Sequence, residues 1–63
     1  MQRFKEFRVK AGLSILAAAD KLNVSPTSIM HWEAGKRYPN GRTIVAMTQL
    51  YGCSADELLG LRK

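Results

Sequence analysis

Helix stop signals and helix start signals alternate along this chain at intervals too short for any long element. A residue that tolerates positive φ is followed closely by one whose side chain can cap a new helix. Gly12 precedes Ser14, Asn23 precedes Ser25, Gly35 leads through a breaker-rich turn to Asn40, and Gly52 precedes Ser54. Between these signals the apolar residues recur at helical spacing, and no β-branched alternating run is present. The pattern predicts an all-α chain of five short helices.

The first helix is expected over residues 2–11, with Phe4, Phe7 and Ala11 on one stripe and Gly12 as a left-handed stop. The second, residues 15–22, has Ser14 as its N-cap and Asn23 in a tight turn at its end. Ser25 caps the third, Pro26 suits its first position, and Val24 and Ile29 stand at the spacing of a hydrophobic staple. Asn40 caps the fourth, residues 41–51, whose stripe is Ile44, Met47, Leu50 and Tyr51. Ser54 and Glu57 form a capping box for a fifth helix ending near Gly60, with Cys53 and Leu58 as its staple and residues 61–63 as a frayed tail.

Size and charge narrow the function. With 63 residues the chain reads as a single domain, 1–63, too small for a large enzyme fold. Ten Lys and Arg against five Asp and Glu leave a net charge of +5, which attracts polyanions. The single Cys53 cannot form an internal disulfide, which fits a reducing, cytoplasmic setting. One Cys and His31 cannot build a tetrahedral metal site, so neither metal nor cofactor is expected. No apolar run approaches the ~20 residues of a membrane span. No spacing of Ser, His31 and Asp20 makes a nucleophile–base pair, so no catalysis and no small-molecule substrate are expected.

Residues 15–34 carry the pattern of two helices joined by a tight turn, a helix-turn-helix. Ala19 is the small residue where the two helices meet, Asn23 holds the turn, and Ala18, Leu22, Val24, Ile29 and Trp32 take the buried slots. Opposite Ile29 and Trp32 stand Ser25, Thr27, Ser28 and His31, and the basic loop 36–42 follows at once. That is an arrangement suited to a nucleic-acid duplex.

The ordered set Phe4, Phe7, Arg8, Gly12-Leu13-Ser14, Ala19, Lys21-Leu22, Val24-Ser25, Ser28-Ile29, Trp32-Glu33, Gly35-Lys36, Pro39, Gly52 and Asp56-Glu57-Leu58-Leu59 resembles the lambda-repressor/Cro-like helix-turn-helix family over nearly the whole chain. The resemblance implies a compact five-helix fold whose third helix, about residues 26–34, enters the DNA major groove. It implies base contacts from Pro26, Thr27 and His31. Ser28, Ser14, Lys36, Arg37 and Arg42 would hold phosphates. It also implies a partly buried ion pair between Arg8 and Glu33. The expected function is a sequence-specific transcriptional regulator of the repressor type. Its partner is double-stranded DNA, bound as a homodimer on a pseudo-palindromic site with half-sites about 34 Å apart. The helix-five end (Leu58, Leu59, Leu61) is the first place to look for the dimer surface.

The chain departs from the family at the start of helix two, where Ile15 and Leu16 stand in place of a polar phosphate-gripping residue. Those two side chains either pack against helix one or form an exposed apolar pair. The second option supports an alternative function, a protein-interaction module (antitoxin-like or anti-repressor) that keeps the fold.

Overall fold

In a computed structural model, which describes residues 1–61, the helices are α1 (Phe4–Lys10), α2 (Ile15–Leu22), α3 (Pro26–Glu33), α4 (Gly41–Tyr51) and α5 (Ala55–Leu58). No strand occurs among the described residues. α2 packs on α3, α1 and α4 close around that pair, and α5 packs on α4, within 29 × 23 × 19 Å.

Capping side chains start four of the five helices. Ser14, Ser25 and Ser54 accept from the backbone N–H three residues on, as does Asn40. Glu57 completes the capping box by accepting from the Ser54 N–H at 3.0 Å. Each helix also stops in the same way. Gly12, Asn23, Gly35, Gly52 and Gly60 are left-handed, and the residue after each donates its N–H to a carbonyl five residues back. Those bonds run from Leu13 to Arg8, Val24 to Ala19, Lys36 to His31, Cys53 to Thr48 and Leu61 to Asp56, and they satisfy carbonyls the helix ends would otherwise leave free.

The core contains Phe4, Phe7, Ala18, Ala19, Ile29, Trp32, Met47, Tyr51 and Leu58. Ala18 and Ala19 are nearly inaccessible, so the small side chains on α2 let its backbone approach α3 closely. Leu22, Val24, Ile44, Leu50 and Cys53 pack around this core while remaining partly buried.

Three expectations need correcting. Ala11 is exposed and caps α1 instead of joining the Phe4–Phe7 stripe, because the helix ends at Lys10 and Gly12 turns the chain away. α1 also begins at Phe4, not residue 2. Gln2 lies ahead of it and its Oε1 accepts from the Phe4 N–H at 2.8 Å. Leu58 is fully buried in the core and offers nothing to a dimer surface, whereas Leu61 is exposed. Of the tail, Leu61 is held through its N–H, and Arg62 and Lys63 lie outside the described residues.

Candidate nucleic-acid interface

α3 is divided along its length. Ile29 and Trp32 bury its inner edge, while Pro26 and Thr27 are exposed and Ser28 and His31 are half-buried on the outer edge. Nothing in the described chain covers that outer edge. It forms one wall of an open cleft of about 550 Å³. Thr27, Ser28 and His31 line the cleft from α3, and Arg37, Asn40 and Thr43 line it from the loop and the start of α4.

The polar groups on this wall differ in what they have left to offer. Ser28 shares a 3.0 Å hydrogen bond with the Ser25 hydroxyl, and its N–H donates to the same oxygen at 3.1 Å. Its hydroxyl is therefore partly committed to the start of the helix. Thr27 and His31, four residues apart on one face, make no side-chain hydrogen bond within the described chain. Asn40 uses its Oδ1 to cap α4, at 2.8 Å from the Thr43 N–H, which leaves its amide N–H groups free to donate.

The cations divide likewise. Lys36, Arg37 and Arg42 are exposed, but of these only Arg37 lines the cleft. At the other end of the motif, Ser14 accepts from the Ala17 N–H at 3.0 Å and keeps its O–H free beside the start of α2. The apolar pair there is split. Ile15 packs against the core, while Leu16 stands 70% exposed.

Behind the outer edge, α3 is clamped to α1. Arg8 Nε lies 2.6 Å from Glu33 Oε2 and Nη2 lies 3.2 Å from Oε1, a forked pairing with both side chains nearly buried. Its hydrogen bonds to the Glu33 carboxylate raise the Arg8 pKa above its ordinary value. Arg8 Nη1 also donates to the Leu13 carbonyl at 2.7 Å, so one guanidinium joins the end of α3 to the turn before Ser14. Gln2 adds a second clamp, which the sequence reading did not identify. Its Nε2 donates to the carbonyls of Trp32 at 3.2 Å and Glu33 at 3.0 Å. Read inside a helix, Gln2 carried no signal for this role.

Among the described residues, no cluster of three or more His, Cys, Asp or Glu side chains could hold a metal ion. No helix is long and apolar enough to cross a membrane.

An open polar edge on the second helix of a helix-turn-helix, flanked by basic loop residues, defines a class of nucleic-acid-reading domains. The chain matches the helix-turn-helix family model over residues 4–58 and belongs to that lambda-repressor/Cro-like family. It is 39% identical over 59 residues to the HTH-type transcriptional regulator ImmR of Bacillus subtilis, covering 94% of this chain and 46% of that protein. It is 33% identical over 58 residues to the HTH-type transcriptional activator BcrR of Enterococcus faecalis, covering 92% of this chain and 28% of that protein. The HTH-type transcriptional regulator AnsR of Bacillus subtilis is 30% identical over 63 residues, covering 100% of this chain and 54% of that protein. The chain thus spans about half the length, or less, of these curated relatives.

Proposed function

We propose that this chain is the sequence-specific DNA-binding module of a transcriptional regulator and not an enzyme. α3 lies in the major groove with Thr27 and His31 toward base edges and Pro26 against the floor of the groove. Thr27 offers a hydroxyl and a methyl, the second suited to a thymine methyl, and His31 offers a donor for a purine N7. Ser28, Ser14, Lys36 and Arg42 hold phosphates on either side, which sets affinity and register. The observation that carries this reading is the uncovered Thr27–His31 edge, backed by Trp32 and set beside a basic loop. The relatives' names support it, since all three are transcriptional regulators.

One such domain makes few base contacts, so useful affinity calls for two copies on a pseudo-palindromic site. A cytoplasmic location follows from a DNA partner and an unpaired cysteine. The protein-interaction alternative rests on Leu16 alone, and none of the three relatives supports it.

Selection from a random duplex library tests the reading. The expected result is an enriched motif with two-fold symmetry, in which Thr27→Ala or His31→Ala each relaxes one base pair. Such a loss costs about 1–3 kcal/mol. Enrichment of no sequence, or an unchanged motif with both variants, overturns it.

A further inference from the structure

Resting on that reading, we propose that Arg37 is a specificity-determining residue that reads a base, namely a guanine next to the bases read by α3. By sequence, Lys36 and Arg37 are two adjacent cations suited alike to phosphate. The fold separates them. Arg37 lines the same cleft as Thr27, Ser28 and His31, and Lys36 does not.

Arg37 is also held in place. Its N–H and that of Lys36 both point to the His31 carbonyl, at 3.4 and 2.9 Å, so the loop is fastened to the reading helix itself. On its far side Tyr38 sets its ring edge-on to Phe4, with centroids 6.3 Å apart, and Pro39 is buried. A short segment tied at both ends gives a side chain the placement that base reading requires and phosphate contact does not.

The guanidinium is free to do this. The other arginines near the core are engaged, Arg3 with Glu6 and Arg8 with Glu33, whereas the Arg37 side chain makes no hydrogen bond or ion pair with the described residues. No carboxylate lines the cleft to capture it. The chemistry that a free, planar, two-pronged donor recognises in the major groove is the O6/N7 edge of guanine. Thr27 and His31 supply few donors for that base.

The test compares selected motifs and binding to single-base variants of the site for the parent chain, Arg37→Lys, Arg37→Ala and Lys36→Ala. Thermal melts of each serve as a check that the fold is kept. Arg37→Lys retains the charge and removes the fork. The expected result is that Arg37→Ala loses the preference for guanine at one position, by roughly 5- to 150-fold, with other positions unchanged, and that Arg37→Lys, whose ammonium still reaches the same edge, loses less of it. Lys36→Ala is expected to keep the motif intact. A full parental motif with Arg37→Ala overturns the proposal and returns Arg37 to the phosphates, leaving the wider DNA reading in force. A parent chain that selects no motif at all overturns both.

Discussion

Arg8 has its charge answered on three sides of a nearly closed site, by both oxygens of Glu33 and by the Leu13 carbonyl. Removing the carboxylate leaves a guanidinium that neither water nor protein neutralises, and truncating one partner of a buried pair costs about 3–5 kcal/mol. Glu33→Ala is therefore expected to lower the thermal midpoint sharply, and a melt that overlays the parent's would refute this. Tyr51 presents the opposite case. Its hydroxyl is buried and has no hydrogen-bond partner among the described residues, and burial pushes its pKa up to about 12 from an ordinary 10.0. Tyr51→Phe removes a polar group that folding had to desolvate, so stability at neutral pH is expected to rise, by up to about 1–3 kcal/mol. The same substitution changes the alkaline limb. Below pH 10 the phenol is protonated in both states. Above it the unfolded chain loses the proton first, so the parent loses stability as pH rises toward about 12. The phenylalanine variant should lack that part of the loss in a pH series of denaturant melts.

At the level of the helix, the shared mode of termination allows a controlled comparison. Gly12 and Gly60 have nearly the same left-handed backbone, φ +76 and +75. A Cβ at Gly12 meets nothing within 4 Å, while one at Gly60 would lie 1.8 Å from the Met1 carbonyl oxygen, a contact that cannot exist. Gly12→Ala should then cost only the left-handed strain, about 1–2 kcal/mol. Gly60→Ala should cost more, because the chain's first residues must also move. Equal denaturation midpoints for the two variants would contradict the close approach. The contrast also shows what the sequence made legible. Ser14, Asn23, Ser25, Asn40 and Ser54 act within three or four residues of themselves, so the helix starts and stops could be read one at a time. Gln2, Gly60 and Leu58 act across the fold, on the end of α3, on Met1 and in the core. No local pattern encodes those meetings. The Arg8–Glu33 pairing joins residues 25 apart and was anticipated through family resemblance, since spacing alone could not indicate it. That Thr27 and His31 share the outer edge of α3 was legible from helical periodicity. The difference between Lys36 and Arg37 was not, because it depends on which way the loop turns after Gly35.

For the molecule as a whole, charge is what reaches a duplex first. The chain carries a net +5, and Lys36, Arg37 and Arg42 stand exposed, Arg37 in the cleft beside α3. A cation placed on a phosphate displaces a condensed counterion, so affinity falls with salt at a slope of about 0.9 per phosphate held on B-DNA. A base-reading contact changes affinity for one sequence and leaves that slope nearly alone. Lys36 lies outside the cleft, so Lys36→Ala should weaken binding to selected and scrambled duplexes by the same factor. It should also flatten the plot of log affinity against log salt concentration by about 0.9. Anisotropy titrations of both duplexes across a salt series measure the two quantities together. An unchanged slope, or a loss confined to the selected duplex, would mean that Lys36 does not hold a phosphate and that the electrostatic footprint lies elsewhere on the surface.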